Sequence, residues 1–194
     1  MGRTASKVRG RRDRAGAAAR RLRPQARSRT ANESEVKRHF TATGFVVDGP
    51  GTLLHWHRRL QQWMPPGGHI EPDEDPVQAV LREIKEETGL IAEVIPVQGT
   101  ATFTYPEQVP APYTILIEDI PGPGEPHKHI DMIYFCRPVV RNERAVAADQ
   151  TLRWVCEDEL KAAQALDVAG CGISARVPDD VRELALIAIE VGGR

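Results

Sequence analysis

The stretch GHIEPDEDPVQAVLREIKEETGL, from Gly68 to Leu90, carries its own punctuation. Asp75 is a good N-cap, Pro76 suits the first helical position, Gln78 stands where a capping-box partner would, and Gly89 supplies a left-handed stop. These signals predict a helix over Pro76 to Thr88. At about 100° per residue, and with Glu83 at zero, Glu86 falls about 60° to one side and Glu87 about 40° to the other, with Ala79 about 40° away. Val80, Ile84, Val77, Thr88 and Leu81 then cover roughly 60° to 160°. One stripe is acidic and its neighbour apolar, so the apolar stripe docks on a sheet and holds Glu83, Glu86 and Glu87 on a rigid platform. The small Ala79 is expected to leave space above them.

Crowding three carboxylates in REIKEE, Arg82 to Glu87, costs a helix roughly 0.2 to 0.5 kcal/mol per like pair at i,i+3 and i,i+4. A hard cation would offset that repulsion, since Mg²⁺ prefers carboxylate and water oxygens and commonly bridges to substrate phosphates. On REIKEE alone, an ordinary solvated face with Lys85 and Arg82 nearby is the better account. The preceding loop changes the balance. Gly68, Glu74, Arg82, Glu83, Ile84, Glu86, Glu87, Gly89 and Leu90 fill every fixed position of G-x5-E-x7-R-E-U-x-E-E-x-G-U, with U aliphatic. The stretch therefore resembles the Nudix hydrolase signature. The wider chain from about Phe40 onward is similar too, in a strand pair feeding WMPPGGHIEP before the box and in LRWVCEDEL after the last core strand.

The resemblance implies an α/β fold, a Nudix-type α/β/α sandwich on a mixed β-sheet, and hydrolysis of a diphosphate linkage assisted by Mg²⁺ or Mn²⁺. By the same resemblance Glu83, Glu86 and Glu87 are the catalytic metal ligands, and the backbone carbonyl of Gly68 adds another oxygen. Glu74 and Arg82 are implied to be a structural pair tying loop to helix, with Gly89 as further support of the box. The expected chemistry is metal-ion catalysis, in which the cation neutralises and orients the diphosphate and makes a bound water more acidic.

The general base stays open. Glu83 is one candidate; in the family the base or an extra ligand often comes from a later loop or strand, and GEPHKHIDMIY offers Glu125, His127, His129 and Asp131. Their spacing of two places all four on one face of an extended segment. They are candidates for base, metal or substrate contact, against the plainer reading of a polar strand edge. Two close histidines also resemble part of a transition-metal site, but the spacing supplies no third clear ligand, which counts against zinc. Phe103, Tyr105 and Tyr113 are candidates for stacking on a nucleobase, with core packing the expected role. Trp63, Trp154 and Cys136 read as core.

Outward from the box, Phe40 to Val47 and Thr52 to His55 read as a β-hairpin around Asp48, Gly49, Pro50 and Gly51, and Met64 to Gly68 as a loop. Leu90 to Val97 is an apolar run. Further strands are expected at Ala101 to Tyr105, Tyr113 to Glu118, Ile130 to Arg137 and Leu152 to Val155, with helices at Asp158 to Leu166 and Pro178 to Ile189. Strands mixed with a few helices imply an α/β or α+β domain.

The 194 residues suit one domain, expected over 38–194, preceded by a basic tail over 1–37. The first forty residues hold 13 Lys and Arg against 3 Asp and Glu, and the remainder 13 against 24, so the near-zero net charge conceals an acidic domain and a basic arm. The tail, poor in large apolar residues, is expected to be disordered alone. A start codon placed too far upstream, a transit peptide and an arm for nucleic acid all fit it; its opening MGRTAS also matches the loose myristoylation pattern. No stretch approaches the roughly 18 apolar residues of a membrane span. Three cysteines without a close pair suggest neither a disulfide framework nor a cysteine zinc site, and a reducing, cytoplasmic setting is the expectation.

The expected partner is a small nucleotide, with a homodimer open and no membrane. The leading expectation for function is divalent-metal-dependent hydrolysis of a nucleoside diphosphate linked to another group, or of a nucleoside triphosphate. The alternative is an RNA 5′-end pyrophosphohydrolase or RNA-binding nucleotide sensor using the basic tail. A non-catalytic relative is disfavoured by the complete box, and an isoprenoid diphosphate isomerase by the lack of a placed catalytic cysteine.

Overall fold

A computed structural model describes residues 36–96, 99, 101–120, 126–140 and 151–193. All of these fall in one compact unit, Glu35–Arg194. The expectations for residues 1–35, and for Glu125, lie outside the described residues. No helix among the described residues is long and apolar enough to cross a membrane.

The expected hairpin is present as β1 (Lys37–Asp48) and β2 (Gly51–His57), but the two strands pair only at Val47 with Thr52 and Asp48 with Gly51. Below that point β1 leaves β2 and lies between two other strands. It runs parallel to β7 (His127–Pro138) over ten residue pairs, from Lys37 opposite His127 to Val46 opposite Cys136. On its other side it pairs antiparallel with β4 (Gly67–His69). The Met64-to-Gly68 segment is therefore not simply a loop: β3 (Gln62–Met64) and β4 flank Pro65 and Pro66, which cannot donate to a ladder. β5 (Ala92–Val94) and β6 (Thr114–Ile120) pair antiparallel with β7, and β8 (Leu152–Cys156) with β2. One parallel contact among antiparallel ones makes the sheet mixed.

The expected strand over Ala101 to Tyr105 does not form. That segment is an exposed loop in which the Gln108 side chain takes the place of a strand partner, accepting from Phe103 N–H at 2.9 Å and donating to Ala101 O at 2.8 Å. Phe103 and Tyr105 are consequently exposed rather than in the core, whereas Tyr113 stacks on Phe135 with ring centroids 4.4 Å apart. The helix expected over Asp158 to Leu166 is shorter, α2 (Glu157–Ala162), and gives way to a small hairpin, β9 (Leu166–Val168) with β10 (Ile173–Ala175). The last helix, α3, runs Asp179–Gly192.

Side-chain alternation along β1 and β7 sorts the core into two layers. Ala42, Val46, Tyr134 and Cys136 pack against α1 (Pro76–Thr88), through Ala79, Val80 and Ile84. Phe45, Val47, Ile133 and Phe135 pack against α2 and α3, through Leu160, Val181, Ala185 and Ile189. Helices on both faces of a mixed sheet make an α/β/α sandwich. Gly44, on the α1 side of β1, has no room for a side chain: a Cβ there would lie 2.7 Å from Ile84 Cδ1 and 2.9 Å from Val80 Cγ2. Trp63 and Cys136 are fully buried and Trp154 packs on the α1 layer; burial pushes the Cys136 thiol up.

Candidate active site

Helix α1 begins and ends at the expected residues for the expected reasons. The Asp75 side chain accepts from Val77 and Gln78 N–H, the Gln78 side chain accepts from Asp75 N–H, and Gly89 closes the helix at φ 74°. Val80 and Ile84 hold it against β1. Ala79 is fully buried with them, so it does not border the open space expected above the carboxylates. The smallest side chain of the helix is instead part of the core on this side of the sheet.

With the helix so placed, Glu83 and Glu87 reach β4. The Glu83 carboxylate lies over Gly68, where a Cβ would sit 2.5 Å from Glu83 Cδ. Glu87 Oε2 accepts from Gly67 N–H at 3.0 Å. Gly67 itself passes close to β1, its absent Cβ leaving room for Thr43 Oγ1 and Ala42 O. Glu86 is the outermost of the three, with its side chain 60% exposed.

Arg82 organises the group. Its Nε and Nη2 grip Glu74 at 2.6 and 2.9 Å, its Nη1 donates to Glu83 at 2.7 Å and Glu86 at 3.3 Å, and Nη2 also donates to His69 O at 3.1 Å. The planar fork with several fixed donors suits this bidentate grip. Glu74 in turn accepts from Glu71 N–H at 3.2 Å, and its carboxyl is held below the usual carboxylate range by the hydrogen bonds from Arg82. The guanidinium is stabilised further in its charged form by Glu74 and Glu83. So one side chain ties the loop to the helix and partly balances the acid cluster.

His55 is a neighbour that sequence reasoning missed. It is buried on β2, with Nε2 3.7 Å from Glu87 Oε2. Its only signal was alternation in LLHWH, which puts it on the same side of the sheet as Leu53 and α1.

The second candidate set goes elsewhere. His127, His129 and Asp131 share the parity of Ile133 and Phe135, so they lie on the α3 side of the sheet, away from the α1 carboxylates. Asp131 is buried and accepts from Thr41 Oγ1 at 2.8 Å, and burial pushes its carboxyl up. His129 meets His39 and His69 rather than the box carboxylates. Burial, then the neighbouring histidines, push His129 down to about 4, and His39 is lowered for the same reasons. Glu118, opposite His129 on β6, is pushed up to about 7 by burial and by Asp131 and Asp180.

The Glu83, Glu86 and Glu87 side chains beside β4 offer oxygens, with the His55 ring nitrogen behind Glu87, and carboxylate oxygen is the ligand type of hard divalent cations. Gly68 lies directly under the Glu83 carboxylate, which makes its backbone carbonyl a further candidate oxygen. Glu83, Glu86, Glu87 and the Gly68 carbonyl could hold such an ion, and the lack of a side chain at Gly68 is what lets the Glu83 carboxylate approach.

Comparison with known proteins gives the family. The NUDIX domain family model matches residues 37–170. An RNA pyrophosphohydrolase of Stenotrophomonas maltophilia (strain K279a) is 40% identical over 70 residues, covering 35% of this chain and 34% of that protein. One from Hahella chejuensis (strain KCTC 2396) is 41% identical over 54 residues, covering 27% and 34%. The chain thus spans about a third of the length of these curated relatives. Among solved structures, a NUDIX-family hydrolase from Clostridium perfringens superposes with a TM-score of 0.62 at 23% identity, over 80% of this chain and 99% of that one. A NUDIX hydrolase from Nitrosomonas europaea superposes at 0.52 and 18% identity, over 81% and 92%.

Proposed function

This chain belongs to the NUDIX family, and on that premise we propose that it hydrolyses the diphosphate linkage of a nucleoside diphosphate joined to another group, or of a nucleoside triphosphate, with a divalent cation. The observation that carries this reading is the packing of the Glu83 carboxylate over Gly68, with Glu87 bonded to Gly67 N–H beside it. A helix and a strand are held together there, with Glu83 and Glu87 against β4 and Glu86 joined to Glu83 through Arg82.

When bound, Mg²⁺ or Mn²⁺ supplies positive charge to the diphosphate and makes water acidic enough to attack near neutral pH. The chain's own residues bind and orient. Glu86, largely exposed, presents its oxygens toward solvent; Glu83 and Glu87 hold theirs against β4. Arg82 keeps Glu74 through its fork while its Nη1 is shared between Glu83 and Glu86. Glu83 is our candidate for the proton acceptor, because the later-strand candidates His127, His129 and Asp131 lie on the other side of the sheet. His55 orients Glu87 from the buried side.

The deciding experiment incubates the protein with nucleotide sugars, ADP-ribose, dinucleoside polyphosphates, nucleoside triphosphates and triphosphorylated RNA, with Mg²⁺ and with Mn²⁺, and identifies the products. Cleavage between phosphorus atoms supports the reading; no turnover of any substrate with either ion sinks it.

A second reading is favoured by the curated relatives, which are named RNA pyrophosphohydrolases, together with the basic residues 1–37. In it the domain over 38–194 trims 5′ phosphates while the arm holds the transcript. It predicts RNA binding that falls steeply with salt and disappears on removing Met1 to Glu35. The cut belongs there because β1 begins at Lys37, opposite His127. Salt-insensitive turnover of small nucleotides by the shortened protein, with no turnover of RNA, would dismiss it.

A further inference from the structure

Four of the chain's six histidines converge on the α3 side of the sheet. They come from three different strands. His39 lies on β1 directly opposite His129 of β7, and His69 ends β4, opposite Thr41 of β1. Because odd-numbered residues of β1 point to one face, His39 and Thr41 project together, and their partners His129, Asp131 and His69 project with them. Ring centroids are 5.2 Å apart for His39 and His69, 5.0 Å for His69 and His129, and 6.2 Å for His39 and His129. His127 packs at the outer end, 4.8 Å from His39 and 5.3 Å from His129.

We propose that His39, His69 and His129 form a binding site for a borderline divalent transition ion, Zn²⁺ above all, separate from the carboxylate site of the box. One ligand nitrogen from each of the three lies within 4.8 Å of the others, and among the described residues this is the one group of three imidazole, thiol or carboxylate ligands gathered so tightly. His39 Nδ1 and His69 Nε2 are already 3.2 Å apart. Two nitrogens about 2.0 to 2.1 Å from a tetrahedral zinc ion stand about 3.3 Å from each other, so the separation of this pair already matches.

His129 supplies the second observation. Its Nε2 is inaccessible to solvent and has no hydrogen-bond partner among the described residues. A buried polar nitrogen without a partner is unfavourable, and metal ligation would satisfy it. Imidazole nitrogen without oxygen donors selects zinc, copper or nickel over magnesium. Three protein ligands leave a fourth position for water or an anionic oxygen, and the exposed His69 opens the cluster to solvent on that side. Behind the ligands, Thr41 and Asp131 bond to each other at 2.8 Å and keep the β1–β7 register under His39 and His129 in place.

The test uses the full chain without an affinity tag, stripped with chelator, and carrying Glu83→Gln, Glu86→Gln and Glu87→Gln together so that the box cannot compete. Co²⁺ is titrated in excess Mg²⁺, followed by its visible d–d absorption, and then displaced by Zn²⁺. We expect one equivalent bound with the intense absorption of a low-coordinate nitrogen site. His39→Gln and His69→Gln should each weaken binding more than about 100-fold, since loss of a partner merely behind a ligand costs about 10- to 100-fold. Both positions are partly or fully exposed, and circular dichroism checks that each variant is folded. No binding in the carboxylate variant, or affinity unchanged in both histidine variants, overturns the proposal. The outcome is independent of whether the protein cleaves diphosphates.

Discussion

Strand β1 separates two polar clusters of opposite construction. On its α1 side the ligands are acids from one helix, adjacent in sequence, and they are held in place by a cation: Arg82 touches Glu74, Glu83 and Glu86 at once. On its α3 side the groups are imidazoles from three strands, brought together by β-sheet register. Like charges need a fixed counter-charge before they can be crowded, whereas rings need only packing. The first cluster should therefore respond most to changes of charge and the second to changes of position.

The largest effect is expected at the acids. Glu86→Gln or Glu87→Gln should lower kcat by about 100-fold or more with the fold retained, because each removes charge and little volume. Steady-state kinetics with circular dichroism checks this, and normal turnover in both variants would erase the distinction between the two faces. Next comes Gly68→Ala. Its methyl would displace the Glu83 carboxylate, and a shift of about 1 Å at a reacting site can cost about 100-fold; the melting temperature should barely move, because the displaced group is the end of a flexible side chain.

On the other face the expected loss is in stability. Thr41→Val removes a donor to the buried Asp131, and we expect a destabilisation of about 1 to 3 kcal/mol by denaturant titration, with kcat little changed. A large fall in kcat there would mean that the two clusters act as one. The smallest effect concerns acid. The Glu74 carboxyl lies below its usual value in the fold, mainly through its hydrogen bonds from Arg82. A lowered carboxylate contributes stability that is present above the unfolded value and fades as pH falls through the folded one. The gap in melting temperature between the native protein and Glu74→Gln should thus be present at neutral pH and close below about pH 4.5. A gap that persists into strong acid would show that Arg82 does not depend on that charge.

The same contrast explains what could be read in advance. Helix α1 was legible to the residue because Asp75, Pro76, Gln78 and Gly89 act locally, and the box carboxylates were legible because a single helix places them. The placement of Asp131 and His129 was half legible. Alternation put them on one face of a strand, but which face depended on the parallel pairing of β7 with β1, a contact between segments far apart in the chain. His39 and His69 gave no signal for the same reason. Neither has a histidine or cysteine neighbour at metal-site spacing, and only register aligns them with His129. The expected strand over Ala101 to Tyr105 failed because apolar and aromatic content suggested it, while the Gln108 amide satisfied backbone groups that a ladder would otherwise take. The β9–β10 hairpin was hidden by its brevity, three residues to a strand.

Gly44 sits under the middle of α1, against Val80 and Ile84. It sets the clearance between helix and sheet, and that clearance decides how far Glu83 and Glu87 overhang β4. A spacer of this kind acts on all the acids at once: thicken it by one methyl and the whole row is lifted together, its internal arrangement intact and its alignment with Gly67 and Gly68 lost. Tolerance in the reacting centre is thereby delegated to a position that a survey confined to polar residues would pass over.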